Sequence, residues 1–415
     1  MKILWVKPGK ILPLDTGGKL RTYNILRHLS RAHELTYLSY YNGERDEAYE
    51  REIPTHIPGT VTVHTPAKEL GTLAQYLHYL RRIAWRAPYT VLKFADPQVQ
   101  ELLAEWIPQR RFDVAVCDFL SSTLNFPREL PTPTALFQHN VESILWERKA
   151  AVEGRWIDRA VFTLESAKMS RFEPEQTRRF HHVIAVSEAD RQAMSHMVDP
   201  SHITVVPTGV DLSKYPYDAE VRPAGPLVVF TGSMDWQPNI DGVEYFCKDI
   251  WPLVLAKFPV ARFRIVGRDP HPRVKNLASP SVEVTGSVPS VVDHLRDGAV
   301  IVVPLRIGGG TRIKIYEGMA MGKATVSTTV GAEGLDVHHG RDILLEDSPG
   351  EFAEAVVSLL QNEDLRRRLE AAAAATARKY DWSIIAPRIV DVLEKTIHAA
   401  QGTRVADSQA AKAKA

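Results

Sequence analysis

The chain has 415 residues, of which 44% are hydrophobic and 24% charged, with a net charge of +1. That length asks for two domains rather than one core, and near-neutrality leaves no bulk field to draw it onto nucleic acid or an anionic surface. Two cysteines, Cys117 and Cys247, lie far apart within apolar runs; they argue against a disulfide framework or cysteine metal site and fit a reducing cytoplasm.

The opening run 1–8 is too short for a signal peptide and reads as a first buried strand. Short apolar, β-branched runs follow at 35–39, 61–64, 114–117, 134–137, 183–186 and 203–206. Amphipathic helical segments separate them, which is the signature of βαβ units and parallel sheets. A helix from about Gly18 sets Leu20, Tyr23, Leu26 and Leu29 on one face. Gly17-Gly18-Lys19 opens that helix, but a P-loop needs Ser or Thr where Leu20 stands and Gly where Pro13 stands. The absence of a G-x-G-x-x-G sequence counts against a dinucleotide cofactor.

Segment 73–94 interleaves Tyr76, Tyr79, Trp85 and Tyr89 with Arg81, Arg82, Arg86 and Lys93. It fits either a peripheral contact with an anionic membrane or a helix pair covering the first sheet. Gln138-His139-Asn140-Val141-Glu142 follows the run 134–137, at a strand's carboxyl end. His181-His182 read as edge or surface residues and His338-His339 as loop residues, and none has metal-ligand spacing.

From Thr208 to Pro226 periodicity fails and breakers accumulate, so the domain linker is placed there. A second series of strand runs follows at 227–231, 262–266, 282–285, 300–303, 324–327 and 343–345. Two such series imply an α/β protein of two doubly wound, Rossmann-like domains facing across a cleft. Ligands are then expected outside the strands' carboxyl ends. The domains are read as 1–210 and 224–382, with a last helix 383–400 returning to the first domain and a disordered tail 401–415.

The most informative stretch is Pro304 to Ala320. Gly308, Gly309 and Gly310 follow an apolar run, then come Thr311, Arg312, Lys314 and Glu317. A strand that stops at a glycine loop and restarts as a helix offers unpaired N–H groups to an anion. Arg312 and Lys314 add full charges there, and Glu317 can accept hydrogen bonds from sugar hydroxyls. Polyphosphate and polyol together point to a nucleotide sugar.

These residues resemble those of the family 4 retaining glycosyltransferases, which have the GT-B fold. Six pieces carry the resemblance in order: Val186 to Asp190, Val206 to Asp211, Phe230 to Asn239, Val266-Gly267, Thr285 to Val288, and Glu317 to Val326. Two departures stand out. The family often has two glutamates separated by seven intervening residues; Glu317 matches the second, and Gly309 occupies the place of the first. The arginine and lysine that commonly follow the Gly232 turn are also missing between Met234 and Asn239.

The resemblance implies a cytoplasmic, metal-independent hexosyltransferase, consistent with the absence of an Asp-x-Asp triad. It would need no cofactor and use a UDP- or GDP-hexose donor. The acceptor would be a glycan or lipid-linked molecule, in cell-surface or exopolysaccharide synthesis, with no nucleic acid partner. By the same resemblance His139 lies near the reacting sugar carbon, and Arg312 and Lys314 neutralise the leaving diphosphate. Glu317 binds the ribose, Gly286, Ser287 and Val288 frame the base, and Gly17, Gly18, Gly232 and Gly308 to Thr311 approach donor phosphate or sugar. A GT-B nucleotide-sugar 2-epimerase and an inactive nucleotide-sugar-binding subunit are the alternatives.

Overall fold

The computed structural model describes residues 1–66, 79, 81–152, 154–307 and 312–414. The chain divides into two compact units, Met1–Pro207 with Ile385–Ala415, and Thr208–Ile384.

The first unit is built on seven parallel strands: β1 (Lys2–Pro8), β2 (Glu34–Gly43), β3 (Thr60–Pro66), β4 (Val114–Asp118), β5 (Thr134–Phe137), β6 (His182–Ala185) and β7 (Ile203–Val205). Their order is β3-β2-β1-β4-β5-β6-β7. A parallel sheet covered on both faces requires strands that are apolar throughout, and Ile3, Leu4, Trp5 and Val6 accordingly have no exposed surface. Strand order reverses between β1 and β4. The connections leaving the carboxyl ends of those two strands therefore turn to opposite faces of the sheet and leave a crevice.

The second unit repeats the design. Its strands are β8 (Leu227–Thr231), β9 (Arg262–Val266), β10 (Val282–Gly286), β11 (Val300–Val303), β12 (Ala324–Ser327) and β13 (Leu344–Leu345). The order β10-β9-β8-β11-β12-β13 puts the reversal between β8 and β11. Every strand lies on a run read from the sequence. The largest difference is β2, which extends to Gly43 because Tyr40 to Gly43 continue the ladder with β3.

Three sequence expectations differ in detail from the structure. The stretch placed as a linker belongs to the second unit: Val210 N–H donates to Tyr380 O at 2.8 Å, and Trp382 N–H returns to Val210 O at 3.2 Å. Gly209 permits that pairing, since a β-carbon there would stand 2.6 Å from the Trp382 ring. The last helix spans Pro387–Lys414 and starts later than read; Ile389, Val392 and Leu393 bury its apolar face in the first unit. It also continues through 401–414, where a disordered tail was expected, because that Ala-, Gln- and Lys-rich stretch has high helix propensity. No described helix is long and apolar enough to cross a membrane.

Part of segment 73–94, including Tyr76, lies outside the described residues. In the rest, Tyr79 and Tyr89 turn inward: the Tyr89 N–H donates to Glu165 Oε2 at 2.7 Å, and the two rings meet edge to face. Trp85 faces outward and is 54% exposed.

Candidate active site

In the first unit, the crevice between β1 and β4 is floored by Asp118, the last residue of β4, which is fully buried. Its Oδ1 lies 2.6 Å from His139 Nε2. Its Oδ2 accepts from Trp5 Nε1 at 3.0 Å and Thr22 Oγ1 at 2.7 Å. On the far side of the imidazole, Arg21 Nη1 lies 2.6 Å from His139 Nδ1. A guanidinium only donates, so Nδ1 accepts and the ring proton sits on Nε2, directed at Asp118. Arg21 and Thr22 reach this point from the first turns of the helix Gly17–Ala32, which Thr16 caps by accepting from Lys19 N–H.

Burial favours the neutral imidazole and pushes His139 down to about 4, against the opposing pull of Asp118. For Asp118 burial works toward protonation. The Lys7 charge, together with His139 and the Thr22 hydroxyl, outweighs it and holds the carboxyl at about 2. At neutral pH this is a neutral histidine beside a carboxylate. His139 was expected near the reacting sugar carbon, in donor positioning or acceptor contact; in the structure it is 4% exposed with both ring nitrogens engaged inside the protein. Its ring stacks on Phe119 with centroids 3.9 Å apart. Gly18 packs against the same pair: a β-carbon there would lie 2.8 Å from Phe119 Cζ and 3.6 Å from His139 Nδ1.

In the second unit the crevice between β8 and β11 gathers cations. Gly232 follows β8, and Lys314 projects back to it from the helix Ile313–Ala320. Lys314 Nζ donates to Asn239 Oδ1 at 2.9 Å and sits 4.0 Å from the Phe230 ring centroid. Among the described residues no carboxylate lies within ion-pair distance of it. Burial, aided by repulsion from Arg312, pushes Lys314 down to about 7. Arg312 is itself buried, with its guanidinium over Trp236. Glu317 lies one turn further on, and its Oε1 accepts from the Tyr215 hydroxyl at 2.7 Å. Burial raises the Glu317 carboxyl above its ordinary range.

Gly232, Arg312, Lys314 and Glu317 thus belong to one end of the second sheet. Gly286, at a φ of 72°, ends β10, with Ser287 and Val288 just beyond it and β9 between them and β8. Gly308, Gly309, Gly310 and Thr311 lie outside the described residues.

Two family models match consecutive parts of the chain: one described as Glycosyltransferase Family 4 over residues 16–214, and one described as Glycosyl transferases group 1 over residues 225–362. The chain belongs to the family 4 glycosyltransferases. A phosphatidyl-myo-inositol mannosyltransferase of Mycobacterium leprae is 30% identical over 232 residues, which is 54% of this chain and 60% of that protein. The chain thus spans about 60% of the length of that curated relative. An uncharacterised 44.6 kDa protein from the cps region of Klebsiella pneumoniae is 20% identical over 87% of this chain and 91% of its own length. Among solved structures, sucrose-phosphate synthase from Thermosynechococcus elongatus aligns with a TM-score of 0.69 at 14% identity, covering 96% of this chain and all of its own. Anabaena HepE in complex with UDP and glucose aligns at 0.65 and 15% identity, covering 95% of this chain and 99% of its own. The fold is GT-B.

The sequence reading of this family 4 glycosyltransferase missed several residues that the fold brings in. Arg268, two residues past the end of β9, reaches the Gly232 turn, where its Nε donates to Ser233 Oγ at 3.0 Å. It supplies a cation where the segment 234–239 has none. Asp118 was legible in principle as an acidic residue closing an apolar strand, while Arg21 and Tyr215 gave no local signal. His182, read as an edge or surface residue, is 4% exposed within β6, which pairs with strands on both sides, and its Nε2 lies 2.9 Å from Thr204 Oγ1.

Proposed function

We propose that this family 4 glycosyltransferase moves a hexose from a UDP- or GDP-hexose to a glycan or lipid-linked acceptor, in cell-surface or exopolysaccharide synthesis. Configuration at the transferred carbon is retained and no metal is used. The observation that carries the reading is the cation cluster at the β8–β11 crevice, where Lys314 and Arg268 converge on the Gly232–Ser233 turn. Fixed positive groups in a partly dry crevice stabilise charge that develops on a departing diphosphate. Arg312 adds a second guanidinium from the start of the same helix, and Glu317, oriented by Tyr215, takes ribose hydroxyls. The first unit positions the acceptor side, with His139 fixed in one tautomer by Arg21 and Asp118. A relative named for mannosyl transfer to phosphatidyl-myo-inositol supports a hexosyl donor.

The test is incubation of the purified chain with UDP-glucose, GDP-mannose and a panel of acceptors, in buffer containing EDTA. The expected product carries the donor's anomeric configuration, read from its proton coupling. An inverted product removes the retaining assignment, and an EDTA-abolished reaction removes metal independence. Consumption of donor without acceptor, giving an epimerised sugar nucleotide, replaces the transferase reading.

A further inference from the structure

Beside the Asp118–His139 pair the first unit holds a cavity of about 450 Å³, and five lysines line it: Lys7, Lys10, Lys19, Lys93 and Lys149. Two of these charges are already matched. Lys10 pairs with Asp46 at 2.6 Å and Lys19 with Asp15 at 2.8 Å. The other three have no carboxylate within ion-pair distance among the described residues. They rest on rings instead: Lys7 over Phe119 at 4.1 Å, Lys93 over Phe94 at 5.1 Å, and Lys149 over Trp146 at 4.6 Å. Thr90 Oγ1, on the same lining, is buried and has no hydrogen-bond partner among the described residues. Leu145, Trp146 and Phe119 make the wall apolar.

An anion entering the cavity would meet three ammonium groups that no carboxylate holds at ion-pair distance among the described residues, and hydrogen bonds between such charged partners are strong. We infer that this cavity seats a phosphoryl group carried by the acceptor, held by Lys7, Lys93 and Lys149, with the acceptor's ring or chain against Trp146. Thr90 donates to a phosphoryl oxygen. Among the described residues Glu142 is the one carboxyl on the lining. Burial and the neighbouring Glu173 push it up to about 7, so near neutrality it is about half ionised and opposes the anion less than an ordinary carboxylate would. The inference deepens the proposed function and rests on it, because it names the acceptor's chemical class.

Calorimetry on the full chain with mannose 6-phosphate and with mannose is the first arm. Flotation with phosphatidylglycerol and phosphatidylcholine vesicles is the second. The phosphorylated or anionic probe should bind at least tenfold tighter than its neutral counterpart in one arm. The double variant Lys93→Gln/Lys149→Gln, altered at two exposed rim positions, should lose that margin while UDP or GDP affinity stays unchanged. Binding of the sugar phosphate assigns a soluble acceptor; binding of vesicles alone assigns a lipid-borne one. Equal binding of charged and neutral probes in both arms overturns the inference, as does a double variant that binds like the parent chain. That failure alone leaves nucleotide binding intact, whereas a chain that binds neither UDP nor GDP overturns the proposed function and this inference with it.

Discussion

Lys314 stands so close to Gly232 that a β-carbon on the glycine would lie 2.8 Å from the ammonium nitrogen. Neither residue is near the other in sequence. The absent side chain of one creates the space that the charge of the other fills, at the point where the second sheet reverses its strand order.

Lys314→Met should therefore lower nucleotide diphosphate affinity by ten- to a hundredfold without loss of stability, because a desolvated charge is replaced by an apolar chain of similar length. Burial and Arg312 hold the amine at about 7, so the free site is only partly charged at neutral pH. Binding a diphosphate favours the charged form and takes up a proton. Affinity should rise as pH falls from 8 to 6, and the calorimetric enthalpy should vary with the ionisation heat of the buffer. An enthalpy independent of buffer removes Lys314 from the diphosphate site.

Asp118→Asn leaves Lys7 without its compensating charge in a buried setting. The three side-chain hydrogen bonds that its buried carboxylate accepts are weakened as well, and a loss of roughly 3 kcal/mol is to be read from urea unfolding at pH 7. The Asp118 carboxyl is held at about 2 in the folded chain, below its unfolded value. Its contribution is present above pH 4 and lost as pH falls toward 2. The variant should accordingly lose less stability than the parent across that acid window; parallel curves would show that Asp118 is not held low.

Two glycines should respond differently to alanine. At Gly267 the β-carbon would meet Gly232 O at 1.6 Å, a backbone atom at the neighbouring strand end that cannot turn aside. Destabilisation of roughly 3 kcal/mol is expected, seen as a lowered melting temperature. At Gly18 the obstacle is the tip of the Phe119 ring. Gly18→Ala should cost about 1 kcal/mol yet impair transfer, since Phe119 stacks on His139. Unaltered transfer in Gly18→Ala would show that this stacking is dispensable.

His182 gives a prediction independent of any ligand. Burial is the first cause that lowers it to about 4, well below its unfolded value. The unfolded chain thus binds a proton that the folded chain refuses between pH 6.5 and 4. Stability from this residue is present above pH 6.5 and falls by about 2 kcal/mol by pH 5. In His182→Gln the urea midpoint should depend less on pH between 7 and 5 than in the parent. An unchanged slope would mean that the imidazole protonates freely in place.

The thirteen strands among the described residues were legible because each is a short apolar run bounded by polar or breaker residues, and parallel strands covered on both faces tolerate little else. The helix Gly17–Ala32 was read correctly as amphipathic, but its buried face also holds Arg21 and Thr22, which hydrophobic periodicity assigns to water. They are drawn inward by Asp118 and His139, from strand ends about a hundred residues away in the chain. The unit boundary was misplaced for a related reason: Val210 pairs with Tyr380 and Trp382, and backbone pairing across such a separation leaves no local trace.

By itself the sequence determined two parallel α/β units and the identity of the cationic helix start, because strand burial and the spacing of Arg312, Lys314 and Glu317 are local properties. Side-chain partners became visible in the folded chain alone: Arg268 beside Ser233, Tyr215 on Glu317, His139 locked between Arg21 and Asp118, and three lysines on one cavity with no carboxylate at ion-pair distance among the described residues. Ion pairing, desolvation and tautomer depend on distances between side chains that the chain order does not fix, and those distances set the chemistry of both crevices.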